Sequence, residues 1–251
     1  MNLPGNSIDV SEEDGVRSLH FGSEWVQGAM RVRRPYALEL AYTREMAAGL
    51  ILRPTPPRRV LLIGLGAGSL AKFFWKQVPE AKVTVVEIDP RVVAAAQMHF
   101  RLPPEDGRLA IVIGDGADYV TRRCGHWDAI LVDGFDHRAR AGVLDTAPFY
   151  DACRAALSPQ GLMAANLFGE RRGFRASFKR IAAAFDQRAI AFPACDSGNV
   201  IAFANAGEAL TIGFDELTTR AKALKAARGL DLVPTVKKLA AASPQQEGLT
   251  L

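Results

Sequence analysis

The chain has 251 residues, of which 49% are hydrophobic and 23% charged, and a net charge of +4. This is an ordinary soluble composition with enough apolar material for a sizeable core, and no apolar run approaches the length of a transmembrane helix. Cys124, Cys153 and Cys195 are far apart with no CxxC pair, which argues against disulfides and zinc; the basic clusters Arg31-Val32-Arg33-Arg34 and Arg171-Arg172 lack an aromatic platform, so nucleic-acid binding has no support.

Residues 1 to about 14 are polar and acidic, lack the basic-then-apolar order of a secretion signal, and read as the loose terminus of a cytoplasmic protein. Between Val16 and Val32, two short, partly alternating segments joined by Gly22-Ser23-Glu24 predict a β-hairpin. From Pro35 to Leu52, apolar residues at helical spacing (Leu38, Tyr42, Met46, Leu50) predict one helix with proline near its start. Arg53-Pro54-Thr55-Pro56-Pro57 is a stiff linker.

The middle of the chain then alternates strand and helix. Val60–Ile63 reads as a buried strand, followed by Gly64-Leu65-Gly66-Ala67-Gly68 and a helix from Leu70 to Gln77. Lys82–Asp89 is a second strand, and Asp89-Pro90 caps a helix that runs to about Phe100. Leu109–Ile113, Trp127–Asp133 and Leu162–Phe168 are three more strands, separated by helices at Ala117–Arg123 and Pro148–Leu157. A helix over Phe174–Phe185 precedes a hairpin of Arg188–Ala194 and Asn199–Ala204, and residues 206–251 read as a helical tail with a frayed end. The expected architecture is α/β: a doubly wound, mostly parallel seven-stranded sheet ending in an antiparallel hairpin. An N-terminal extension over 1–55, a catalytic domain over 56–205 and the tail over 206–251 complete the expected organisation.

In such sheets a ligand sits at the carboxyl ends of the strands. Four successive strand ends here carry glycine or acid: Gly64, Gly66 and Gly68; Glu87 with Asp89; Asp115 with Gly116; and Asp133 with Asp136. The glycines let a backbone approach a ligand. Glu87, nineteen residues after Gly68, stands where a carboxylate accepts from ribose hydroxyls, and Asp115 suits an adenine amino group, whereas Asp89 before Pro90 is a helix cap. The third glycine of the dinucleotide spacing is missing, and acidic strand ends suit a positive sulfur. The pattern points to an adenosyl-sulfonium ligand. His20, His99, His126 and His137 form no ligand spacing, and no metal is expected.

On the glycine turn, Val86-Glu87-Ile88-Asp89, Gly114-Asp115-Gly116, Trp127–Asp136 and Pro148-Phe149-Tyr150, the chain resembles the polyamine aminopropyltransferases, the spermidine synthase family, over roughly Gly22 to Ala206. The resemblance implies the Rossmann-like fold of S-adenosylmethionine-dependent methyltransferases, decarboxylated S-adenosylmethionine as co-substrate, a small-molecule amine as acceptor, and a homodimer. It implies Asp133 as catalytic base, Asp136 and Tyr42 as substrate-binding residues, Gln27 as a donor-binding residue, and Gly134–Thr146 as a gate. Pro193 and Ser197-Gly198 resemble the family's segment in the last hairpin. Three departures stand out. Ala67 occupies the position of the family's donor-amine aspartate, Tyr42-Thr43-Arg44-Glu45 is only the nearest match to its N-terminal triplet, and His137 follows Asp136 where the family has proline. Ala67 keeps a second reading open, a methyltransferase using intact S-adenosylmethionine on a small molecule. A third is an adenosyl-binding protein without turnover.

Overall fold

The computed structural model describes residues 7–22, 25–122, 124–135, 141–168 and 173–251. The chain opens with a three-stranded antiparallel sheet: β1 (Ile8–Glu13), β2 (Val16–Phe21) and β3 (Val26–Arg31), in that order. The predicted hairpin is β2 with β3. The segment read as a loose terminus is instead β1, paired with β2 through Asp14-Gly15, whose φ angles of 50° and 72° make a tight turn of the hairpin type. Periodicity concealed it because β1 is exposed along almost its whole length.

The single helix expected over 35–52 is also corrected. It forms two short helices, α1 (Ala41–Met46) and α2 (Gly49–Leu52). The Arg44 guanidinium donates to the carbonyls of Leu38 and Glu39 at 3.1 and 2.5 Å and holds the preceding segment out of helix, while Leu40 enters α1 with extended backbone.

The main body alternates as β4 (Arg59–Ile63), α3 (Ser69–Gln77), β5 (Lys82–Glu87), α4 (Pro90–His99), β6 (Leu109–Ile113), α5 (Gly116–Val120), β7 (Trp127–Val132), α6 (Ala147–Ala156), β8 (Leu157–Phe168), α7 (Phe174–Ala184), β9 (Ala189–Ala191) and β10 (Asn199–Asn205). The strands form one seven-stranded sheet of order β6-β5-β4-β7-β8-β10-β9, parallel from β6 to β8 and antiparallel from β8 to β9. β8 is longer than the strand expected over Leu162–Phe168: it starts at Leu157 and takes in Ser158–Gly161.

Alternation along each strand feeds two cores. Val60, Leu62, Val83, Val85 and Leu131 pack on the face that carries α1 to α4. Leu61, Ile63, Ile130 and Val132 pack on the other face, against Phe149, Tyr150 and Cys153 of α6 and Ile181 of α7. The tail is more than helix. It contains β11 (Thr211–Gly213), α8 (Phe214–Arg228), α9 (Val233–Ala242) and β12 (Gly248–Thr250), and β11 pairs with β12. Leu217, Val236, Leu239 and Leu249 join the first core, and the terminal Leu251 is 1% exposed, so the expected frayed end is a packed one. Among the described residues, no helix is long and apolar enough to cross a membrane.

From β4 the chain winds outward to β5 and β6, then returns to the other side of β4 for β7 and β8. The reversal point between β4 and β7 is where an open α/β sheet leaves a crevice.

Candidate active site

A cleft of about 1140 Å³ opens at this reversal point. Its floor is made by the ends of β4 to β7, and β3 and α1 cover it, so Gln27, Tyr42, Gly64, Gly66, Glu87, Asp115, Gly116 and Asp133 all line one cavity. Gly68 stands one step back from it. Its φ of 68° starts α3 in the left-handed region, and a Cβ there would come within 2.9 Å of Leu102. Asp136 and His137 lie outside the described residues, as does part of the expected gate. Beyond that gap, Gly142–Asp145 is a short 3-10 turn, and Val143 and Leu144 line the cleft. Asp145 anchors it by accepting from Tyr150 Oη, Ser177 Oγ and Arg180 at 2.9, 2.7 and 2.5 Å.

The glycine turn is tied down from two sides. Gly64 (φ 95°) follows β4 so closely beside β7 that a Cβ would fall 2.3 Å from the Asp133 carbonyl oxygen. Glu87, 8% exposed, accepts from the Leu65 amide through Oε2 at 2.9 Å and from the Asp89 amide through Oε1 at 3.0 Å. Burial pushes its carboxyl upward, and these backbone bonds oppose the rise. Each oxygen keeps acceptor capacity for a ligand hydroxyl. Asp115 caps α5, and both of its backbone bonds, from Ala117 (2.7 Å) and Asp118 (3.3 Å), fall on Oδ1. Asp89 is the α4 cap, accepting from the Arg91 amide at 2.9 Å and pairing with its guanidinium.

Asp133 follows β7 and is half-buried. Burial pushes its carboxyl above the ordinary range, while hydrogen bonds from Asn166 and Tyr42 counteract the rise. Asn166 Nδ2 donates to Asp133 Oδ1 at 2.8 Å. The Tyr42 hydroxyl, raised well above its usual value by burial and by Asp133, stays a donor across the physiological range.

Sequence reasoning missed the polar backing of this carboxylate. Asn199 Nδ2 donates to Asn166 Oδ1 at 2.9 Å, and Ser197 Oγ to Asn199 Oδ1 at 2.6 Å. The available signal was Asn166 breaking the apolar run Leu162–Phe168. Also unforeseen was an aromatic wall, in which Phe168 meets Trp25 edge-on (centroids 6.4 Å apart) and Phe135 (4.8 Å). The acids Glu39, Glu87, Asp89, Asp115, Asp133 and Asp196 face the cleft against Arg91, so the lining is strongly acidic.

Ala67 is 2% exposed and does not line the cleft. It packs with Leu19, Met30, Ala95 and Phe100 beneath β3, and a Cβ on Gly28 would come within 2.7 Å of it.

Fold and site together define an enzyme of the methyltransferase-type Rossmann-like class, with its cleft at the sheet's reversal point. A structure of human methyltransferase-like protein 13 in complex with SAH superposes with a TM-score of 0.65 at 23% identity, over 79% of this chain and 93% of that one, a likeness of fold alone. Residues 39–171 match the spermine/spermidine synthase domain. The polyamine aminopropyltransferase of Chromobacterium violaceum is 37% identical over 241 residues, covering 96% of this chain and 92% of that protein. A spermidine synthase structure in complex with the transition-state analogue AdoDATO gives a TM-score of 0.60 at 26% identity, covering 80% and 73% of the two chains. The chain belongs to the spermine/spermidine synthase family and is a transferase of the aminopropyl-moving kind.

Proposed function

We propose that the protein moves the aminopropyl group of decarboxylated S-adenosylmethionine to an amine nitrogen of a polyamine such as putrescine, with Asp133 as the base. The observation that carries this reading is the Asp133 carboxylate at the head of an acidic cleft, backed by Asn166 and Tyr42.

The acceptor reaches the cleft as an ammonium ion, drawn by the acidic lining. An ammonium nitrogen has no free electron pair. Asp133 takes one of its protons and leaves a neutral amine. The amine's electron pair then forms a bond to the aminopropyl carbon next to sulfur. The carbon–sulfur bond breaks toward the sulfonium, which leaves as the neutral thioether of methylthioadenosine. The product nitrogen is a secondary ammonium and keeps its remaining protons, and Asp133 releases the proton it took to solvent.

In this reading Glu87 meets the ribose hydroxyls and Asp115 the adenine amino group, while Gln27 and the turn Gly64–Gly66 form the wall beside the sulfur. Tyr42 and Asp136 hold the acceptor amine. The rings of Trp25, Phe135 and Phe168 flank its methylene chain, where an aromatic face also attracts a second ammonium.

The test offers the purified protein decarboxylated or intact S-adenosylmethionine, each with putrescine or spermidine. Methylthioadenosine from the decarboxylated donor is expected. S-adenosylhomocysteine from the intact donor, with no methylthioadenosine, would instead establish a methyltransferase.

A further inference from the structure

The hydrogen bonds behind Asp133 form a chain with a direction. Ser197 Oγ donates to Asn199 Oδ1, Asn199 Nδ2 to Asn166 Oδ1, and Asn166 Nδ2 to Asp133 Oδ1, at 2.6, 2.9 and 2.8 Å. Chemistry sets this direction. An ionised carboxylate only accepts, so Asn166 must turn its amide nitrogen to Asp133. Its oxygen then faces Asn199, which must donate in turn, and the oxygen of Asn199 takes the Ser197 hydroxyl. Turning Asn166 over would set acceptor against acceptor at Asp133 and donor against donor at Asn199, and turning Asn199 over would set its oxygen against that of Asn166.

The fold itself does not call for these side chains. Asn166 and Asn199 are 5% and 6% exposed, on β8 and β10, where Ala165, Leu167, Val200 and Ile201 supply the packing. A buried amide is costly when unpaired and contributes little net stability when paired. Both asparagines sit toward the site end of the sheet and line the cleft, and among the described residues their chain ends on the candidate base. Ser197, at its far end, is exposed and lines the cleft.

We infer that Asn166, Asn199 and Ser197 are positioning residues for Asp133: they commit its Oδ1 to accepting and leave Oδ2 to take the proton of the incoming amine. The inference rests on the reading of Asp133 as base. Tyr42 from α1 and Asn166 from β8 act directly on Asp133. Glu39, Glu87, Asp89, Arg91, Asp115 and Asp196 are the other charged groups around the same cleft.

The test follows the Asp133 carboxyl carbon by NMR through a pH titration of the ligand-free protein. It compares wild type with Asn166→Leu, Ser197→Ala and Ser197→Thr. Asn166→Leu removes the donor at nearly constant volume and raises the Asp133 midpoint by about one unit, a tenfold loss of ionised base at a fixed pH below it. Ser197→Ala raises the midpoint by a smaller amount, and Ser197→Thr, which keeps the hydroxyl, restores it. The acidic limb of kcat/KM moves with the midpoint, whereas a purely structural role lowers activity equally at every pH. A midpoint unchanged in both Asn166→Leu and Ser197→Ala overturns the inference. If Asn166→Leu does not fold, the exposed Ser197 pair decides alone. The titration uses no substrate, so a failure of the hydrogen-bonded chain to set the Asp133 midpoint and a failure of the wild type to transfer an aminopropyl group are read in separate experiments.

Discussion

Asp133 draws its chemistry from its setting. Burial raises its carboxyl and the bonds from Asn166 and Tyr42 restrain it, so the group titrates above an ordinary aspartate. In its proposed role as base Asp133 works only when ionised, and activity is expected to be lost as pH falls through this raised value. The acidic limb of kcat/KM is expected above the usual carboxylate range. Asp133→Asn, which keeps shape and removes the base, is expected to lower kcat by roughly 10²–10⁴-fold while donor binding by calorimetry stays close to wild type. Unchanged kcat would reassign the base. At this scale, the residues visible in the sequence were those at strand ends, because acids and glycines there interrupt apolar runs: Glu87, Asp115 and Asp133 all reach the cleft. Asn166 interrupts an apolar strand and Asn199 opens one, but their meaning depends on the antiparallel register of β8 with β10, which brings them within bonding distance. Nothing local in the sequence sets that register.

Among the elements, α3 carries an unusual burden. Lys72 is 1% exposed, and its Nζ donates to the Phe100 carbonyl at 2.7 Å, just past the end of α4. Burial lowers its pKa from 10.5 to about 7. Between pH 7 and 10.5 the unfolded chain therefore holds a proton that the folded chain releases, and stability rises with pH across that window. Lys72→Met is expected to stabilise the protein by about 1–3 kcal/mol at pH 6, with the gain fading toward pH 10, as urea unfolding at the two pH values would show. A constant difference between them would contradict this account. The repeating β–α elements were legible because strands buried on both faces are continuously apolar. The elements misread were β1, whose Asp14-Gly15 turn signal outweighs its exposed pattern, and α1 with α2, where the Arg44 bonds to Leu38 and Glu39 override helical spacing.

For the molecule as a whole, the tail closes the first core rather than trailing from it. Leu210 and Leu251 exchange backbone hydrogen bonds of 2.6 and 3.0 Å, and Leu249 is 6% exposed. Leu249→Ala and Leu251→Ala are each expected to cost about 2–5 kcal/mol, read as a fall in thermal midpoint, with kcat unchanged at temperatures where the protein remains folded. Wild-type melting in both variants would show that the tail docks without supporting the core. Its packing was hidden in the sequence because α8 and α9 show alanine-rich, weakly patterned faces whose partner is the distant α2 and sheet. Lastly, the contact between Gly28 and Ala67 ties two distant parts of the chain together. With β3 lying so close over Ala67, a carboxylate placed there alone would be buried without a partner and would press β3 away from the glycine turn. A new charge is therefore tolerated more readily on the walls of the cleft than at position 67.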